Sequence, residues 1–244
     1  MSIWGIIIGG ATGAMLGGPI GALLGAAAGH VASREIGKRL NPEAEARTRQ
    51  VAFTVAVVAL SAKMAKADGT VTRSEINAFR RKVHIPEKDV RDVGRFWDLA
   101  RQTPDGFEAY AKQAASLFGP KNAILEQLLE LLFFIAAADG EISAPEWAYL
   151  AEVSRLFGYD ENEFNRFCTL YGGSDESPYA VLDLPEKADL EQVRNRWKEL
   201  NKRYHPDRLI AEGLPQEFIH SAEERLARIN AAYDVIKRHH EGHS

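Results

Sequence analysis

The chain has 244 residues, 45% of them hydrophobic and 26% charged, which excludes collagen-like and disordered proteins and fits a globular one. Its 30 basic and 34 acidic side chains give a net charge of −4, so there is no overall positive field and nucleic acid is not an expected partner. The one cysteine, Cys168, excludes an intrachain disulfide and any multi-cysteine metal or iron–sulfur site.

The first 33 residues contain no Asp, Glu, Lys or Arg. A helix of about 20 apolar residues crosses a bilayer, so this segment predicts a single transmembrane helix, with Trp4 suited to one membrane interface. Basic residues follow the segment, beginning with Arg34, and none precedes it. The positive-inside rule therefore predicts that the N-terminus lies outside and the rest of the chain in the cytoplasm. Residues 1–40 are interpreted as the anchor and its basic flank.

Glycine recurs at every fourth position of this segment, which predicts a close contact between two helices in the membrane. The predicted dimer face consists of Gly5, Gly9, Gly13, Gly17, Gly21, Gly25 and Gly29. Pro19 predicts a bend in the helix. A cleaved signal peptide is a weaker interpretation because it requires basic residues before the apolar stretch. A hairpin turning near Pro19 is also weaker, since its legs are too short to span the bilayer.

Residues 41–171 are predicted to be helical and contain an internal repeat. The repeated elements are Ala67-Asp68-Gly69 with Thr72 and Glu75, and Ala138-Asp139-Gly140 with Ser143 and Glu146. Each glycine is expected to end one helix, and each Ser/Thr-x-x-Glu to start the next as a capping box. Alternatively, Asp68 and Asp139 form a carboxylate pair that holds a metal, although the first-half ligands of a calcium loop are missing.

The duplicated Ala-Asp-Gly…Thr/Ser-x-x-Glu pattern resembles the TerB family, a duplicated all-helical domain linked with tellurite resistance. Charge within the segment is uneven, and the basic run 80–82 is open to two interpretations, a solvated face or a surface for a partner or anionic lipid headgroups. The apolar stretch 128–138 contains Glu130 and is short, so it predicts a core helix rather than a second span.

Residues 172–176 form a short polar linker, and two amphipathic helices joined by a turn are predicted beyond it. The apolar positions of the two helices are Leu190, Val193, Trp197, Leu200 and Tyr204, and then Phe218, Ala222, Leu226, Ile229, Tyr233 and Ile236. Such helices pack as an antiparallel pair. The turn begins at His205-Pro206-Asp207, where proline ends the first helix, and residues 211–215 are expected to extend an exposed tip.

The His-Pro-Asp turn between two matched helices resembles a DnaJ-type J domain, assigned to residues 177–244. The resemblance implies binding to the chaperone DnaK and stimulation of its ATP hydrolysis through the tripeptide. The predicted chaperone-binding residues are Arg194, Lys198, Lys202, Arg203, Tyr204, His205, Pro206 and Asp207. The basic positions at i, i+4 spacing are suited to an acidic partner and to salt-sensitive association. An exposed turn excludes little water, so catalysis by His205 itself is not expected.

The three segments in this order resemble the DjlA family of membrane-anchored DnaK co-chaperones. The resemblance implies an all-α protein at the inner membrane that dimerises through its single transmembrane helix. It also implies a regulator of a partner's ATPase, with no enzymatic activity and no cofactor of its own. The alternative is a metal-responsive membrane scaffold run by the TerB-like domain, with the J domain as an accessory.

Overall fold

The computed structural model describes residues 3–8, 18–22, 42–67, 73–102, 106–171 and 177–241. Every regular element in these ranges is helical, which confirms the predicted all-α class. No helix within them combines the length and the apolar character needed to cross a membrane. The proposed span lies for the most part outside the described residues.

Within the described part of residues 42–171, the TerB-like domain has seven α-helices. They are α2 (Pro42–Ala67), α3 (Arg73–Lys82), α4 (Val90–Gln102), α5 (Phe107–Phe118), α6 (Ala123–Ala136), α7 (Ala144–Leu156) and α8 (Glu161–Tyr171). Short 3-10 turns at Glu87–Asp89 and Ala137–Asp139 precede α4 and follow α6. Helices α2–α4 and α6–α8 correspond to the two predicted halves, with α2 and α6 as their opening helices, and α5 lies between the halves with no counterpart in the repeat.

The two opening helices are the most buried of the domain. Every residue from 51 to 62 in α2 is inaccessible to solvent. In α6 every residue except Phe134 is buried, so the prediction that this stretch is a core helix is confirmed. A helix that is apolar on all sides belongs in a core. The carboxylates Glu126 and Glu130 are therefore exceptional, because they lie among these buried residues.

The predicted capping box is present in the second half of the repeat. The Ser143 hydroxyl accepts the Glu146 amide at 3.4 Å, and the Glu146 carboxylate accepts the Ser143 amide at 2.8 Å. Gly140 has a φ of +129°, a conformation that favours glycine, immediately after the 3-10 turn that ends the preceding helix. The corresponding residues of the first half, 68–72, lie outside the described ranges.

The J domain consists of a helical hairpin with shorter elements at its start and tip. Its α-helices are α9 (Pro178–Val181), α10 (Leu190–Arg203), α11 (Pro206–Glu212) and α12 (Ile219–Glu241), and a 3-10 turn spans Gln216–Phe218. Trp197 stacks on Tyr233 at 4.5 Å between ring centroids, and Tyr204 lies against Arg225. The later residue of the first helix thus contacts the earlier residue of α12, which confirms that the two helices are antiparallel.

The segment after the tripeptide differs from the expected exposed tip. It is helical as α11, and Leu209 and Leu214 are completely buried. Gly213, at a φ of +117°, lies so close to α2 that a Cβ there would come within 2.8 Å of the Arg49 Cβ. The segment turns inward because the TerB-like domain covers its apolar residues. The periodicity of the hairpin sequence could not predict this, since it contains no information about the neighbouring domain.

The two domains share one apolar core. The Phe218 ring, from the J domain, packs edge-on against Phe53 of α2 at 4.9 Å, and both rings are buried. The Phe53 ring also meets Phe118 of α5 at 6.3 Å. At the edge of this core the His84 amide donates to the Glu217 carbonyl at 3.0 Å. The J domain is thus seated on the TerB-like domain by apolar side chains.

The described N-terminal pieces pack on the same body. Helix α1 (Ile3–Ile8) lies against α2 and α4. Trp4, placed at a membrane interface by the sequence, is instead buried here, because its ring meets apolar helices and its indole N–H donates to the His84 carbonyl at 3.2 Å. In the piece 18–22, the Ile20 amide donates to the Gln113 side chain at 2.9 Å.

Candidate functional site: the J-domain turn and its support

The His-Pro-Asp tripeptide joins α10 to α11 in an exposed turn. Proline holds His205 in an extended conformation, with φ −60° and ψ 129°, so His205 caps α11 and Pro206 occupies its first position. The His205 Nδ1 accepts the Asp207 amide at 3.3 Å. The side chains of His205 and Asp207 are 55% and 88% exposed. The turn is therefore locally fixed by its own hydrogen bond while both functional groups remain open to a partner.

Three of the five basic residues of α10 share an exposed face of the helix. Arg194, Lys198 and Lys202 recur at every fourth position and are all exposed. This arrangement places a row of positive charge along the helix that leads to His205. Such a face attracts an acidic surface over a distance of about 10 Å at ordinary ionic strength.

Two other predicted chaperone-binding residues point the opposite way. Tyr204 is only 3% exposed, and its hydroxyl donates to Glu126 Oε2 at 2.6 Å. The Arg203 guanidinium donates to the same oxygen at 3.0 Å and to the Lys121 carbonyl at 3.0 Å. The structure thus leaves Arg194, Lys198, Lys202, His205 and Asp207 exposed, whereas it turns Arg203 and Tyr204 towards the TerB-like domain.

A set of charged and phenolic side chains around two buried carboxylates, here named the interdomain ion cluster, lies between the J domain and the TerB-like domain. It contains Glu126 and Glu130 of α6, Tyr171 of α8, Arg203 and Tyr204 of the first hairpin helix and its end, and Arg225 and Arg228 of α12. Arg225 bridges both carboxylates, and its guanidinium lies 3.9 Å from the centre of the Tyr204 ring. Arg228 pairs with Glu130.

The cluster keeps Glu126 charged despite its burial. Desolvation raises the pKa of this carboxyl. The positive charges of Arg225 and Arg203 and the hydrogen bond from Tyr204 lower the pKa by more than desolvation raises it, so it lies below its ordinary value. Desolvation is also the largest cause that raises the pKa of Tyr204, which stays a neutral donor. A charged carboxylate and a neutral phenol suit the short contact between them.

One feature of the sequence indicates this cluster, although helical periodicity does not account for it. Glu126 and Glu130 are the two acidic residues of a helix whose other residues, apart from Gln127, are apolar. They are one turn apart, so both face the same way. Buried carboxylates require cationic partners. The identity of those partners, Arg225 and Arg228, depends on how the J domain is seated, which the sequence of α6 does not contain.

The metal and dimer predictions fall largely outside the described residues. Asp139 is exposed at the end of its 3-10 turn, whereas Asp68 is outside the ranges that the structure covers. Within those ranges no three His, Cys, Asp or Glu side chains come together as a metal site. Of the glycine stripe, only Gly5 and Gly21 fall in the described pieces, and Gly21 is buried there.

Comparison with protein families gives three matches in chain order. Residues 1–47 match the co-chaperone DjlA transmembrane domain, residues 54–168 match tellurite resistance protein TerB, and residues 177–241 match the DnaJ domain. The first match indicates a membrane-anchored protein. No solved structure gives a significant match.

Curated relatives match this chain over most of their length. A protein of Shewanella oneidensis named co-chaperone protein DjlA is 30% identical over 97% of this chain and 98% of its own. Proteins of the same name from Aliivibrio fischeri and Coxiella burnetii are each 27% identical, covering 78% and 72% of this chain and 79% and 73% of their own. With a full-length relative at this identity and all three segments matched in order, the chain belongs to the DjlA family of membrane-anchored co-chaperones.

Proposed function

We propose that the J domain binds the chaperone DnaK through the exposed face of α10 and the His-Pro-Asp turn, and that this contact stimulates ATP hydrolysis by DnaK. The observation that carries the proposal is the joint exposure of His205 and Asp207 beside the basic row formed by Arg194, Lys198 and Lys202. The chain acts as a regulator, since the reacting phosphates are held by the partner. Its contribution is a docking surface of positive charge with a rigid polar turn at one end.

The test is single-turnover ATP hydrolysis by purified DnaK, measured with and without the full chain in detergent micelles or nanodiscs. The wild-type chain should accelerate hydrolysis, and His205→Gln should abolish the acceleration. His239→Gln is the matched control, because it makes the same change at an exposed side chain near the C-terminal end of α12, the end of the hairpin that lies away from the turn. Absence of acceleration by the wild-type chain would overturn the proposal, as would equal effects of the two substitutions.

We further propose that the chain is a homodimer in the inner membrane, held by the glycine stripe, with its N-terminus outside. The dimer is supported by the four-residue spacing of the seven glycines. The orientation is supported by the basic residues, which lie only on the C-terminal flank of the segment. Gly17→Leu should reduce chemical cross-linking between copies in vesicles, whereas Ala22→Leu, off the stripe, should not. Protease added outside sealed spheroplasts should leave the J domain intact, and its digestion there would refute the orientation.

A further inference from the structure

The polypeptide on each side of the His-Pro-Asp turn is held by the TerB-like domain. Before the turn, Arg203 and Tyr204 are bound to Glu126. After the turn, Leu209 is fully buried as α11 lies against α2 and α6, and Gly213 reaches α2 itself. The tripeptide between these two attachments contacts solvent. The turn is therefore presented on a support that belongs to another domain.

We infer that Glu126 is a positioning residue for the His-Pro-Asp turn: it fixes the direction in which the chain leaves α10 and so orders the turn before DnaK binds. Tyr204 directly precedes His205, so anchoring the Tyr204 hydroxyl restrains the backbone from which the His205 side chain projects. A loop that is ordered in advance loses less conformational entropy on binding. This inference rests on the proposed function and names a residue outside the J domain that the interaction needs.

Glu130 provides the comparison that gives Glu126 its specific role. The two carboxylates lie one turn apart on α6, both are buried, and both accept hydrogen bonds from Arg225. Glu126 alone of the pair bonds to Arg203 and Tyr204, while the other partners of Glu130 are Arg228 and Tyr171. Loss of either charge weakens the interdomain contact, but only loss of Glu126 releases the turn.

Burial and charge explain why the single carboxylate of Glu126 is enough to restrain the turn. Glu126 is 7% exposed, so water does not compete for its oxygens. Arg225, on the opposite carboxylate oxygen, also covers the Tyr204 ring, which holds the ring from a second direction. The restraint on the turn therefore comes from two contacts on Tyr204 that converge on the same carboxylate.

The test compares Glu126→Gln with Glu130→Gln in the full chain, using DnaK single-turnover hydrolysis over a range of chain concentrations. Glu126→Gln should raise the concentration for half-maximal stimulation about tenfold, the equivalent of ordering roughly one residue, with the same maximal rate. Glu130→Gln should leave that concentration unchanged, although both variants lower the unfolding temperature. Tyr204→Phe, which removes one hydroxyl, should shift it in the same direction as Glu126→Gln and remains a test if the latter fails to fold.

Hydrogen exchange of the free chain gives a readout that does not depend on DnaK. Amides at residues 207–209 should exchange faster in Glu126→Gln and at the wild-type rate in Glu130→Gln. Equal effects of the two variants would overturn the inference, because they would show general loosening of the interface. Stronger stimulation of DnaK by Glu126→Gln would also overturn the inference, since it would mean that Glu126 inhibits the interaction of the J domain with DnaK. Failure of the wild-type chain to stimulate DnaK would count against the proposed function, while the exchange result would still test the positioning role.

Discussion

The two faces of the J domain use the same kinds of residue for opposite purposes. On the outer face, Arg194, Lys198 and Lys202 are exposed and lead to an exposed turn. On the inner face, Arg225 is 6% exposed and lies between two carboxylates. Hydrated charges contribute little to folding and are free to attract a partner. Buried charges are satisfied only by a complete set of neighbours, so the inner face fixes how the J domain is seated.

The largest expected effect comes from the apolar part of the inner face. Phe218→Ala should lower the free energy of unfolding by about 3–5 kcal/mol, because it leaves a cavity against Phe53. Chemical denaturation of the detergent-solubilised chain measures the loss. Ile76→Ala, at a side chain that is 42% exposed, is the control and should change stability by less than about 0.5 kcal/mol. Similar losses in both variants would mean that the shared core is not what holds the domains together.

The next effect comes from the buried charges. Arg225→Met should cost about 3 kcal/mol of unfolding free energy, since it leaves Glu126 and Glu130 with fewer cationic partners in a buried site. The double variant Arg225→Met/Glu126→Gln should be more stable than the sum of the two single losses predicts, because it removes an unpaired charge together with its partner. Strict additivity would show that the two side chains do not interact.

Acidification should lower the stability of the chain by a smaller amount, and gradually as the pH falls. Burial is the largest single influence on the pKa of Glu126 and raises it. Arg225, Arg203 and Tyr204 together lower the pKa by more, so in the folded chain it lies below its ordinary value. Its stabilising contribution is therefore complete above the pKa of an unfolded glutamate, about 4.3, and declines as pH falls below it. Unfolding temperatures from pH 7 to pH 3 should fall more steeply for the wild-type chain than for Glu126→Gln. Parallel curves would contradict this.

The smallest effect on folding is expected on the outer face. Reversing Lys198 to Glu should change the free energy of unfolding by less than about 0.5 kcal/mol, because the side chain is exposed. The same change should reduce stimulation of DnaK and flatten its dependence on salt. Lys237→Glu, on α12 and 46% exposed, is the matched control and should leave stimulation unchanged. A stability loss comparable to that of Arg225→Met would refute the contrast between the faces.

The outer face was predictable from sequence and the inner face was not, for a physical reason. Apolar spacing located both hairpin helices, and the stacking of Trp197 on Tyr233 confirms their pairing. Proline dictated the turn at His205. The inward orientation of Tyr204 and the burial of Leu209 depend on a surface supplied by α2 and α6, far away in the chain. Local periodicity identifies which face of a helix is apolar, but it does not identify what covers that face.

The sequence separation within the interdomain ion cluster has a consequence for synthesis. Glu126 is made first, and its partners Arg203 and Arg225 follow 77 and 99 residues later. At about 5–20 residues per second, the ribosome adds Arg225 roughly 5–20 s after Glu126. During that interval both carboxylates of α6 lack their arginines and must remain hydrated. The nascent TerB-like domain therefore carries two carboxylates without their arginine partners until α12 has been made.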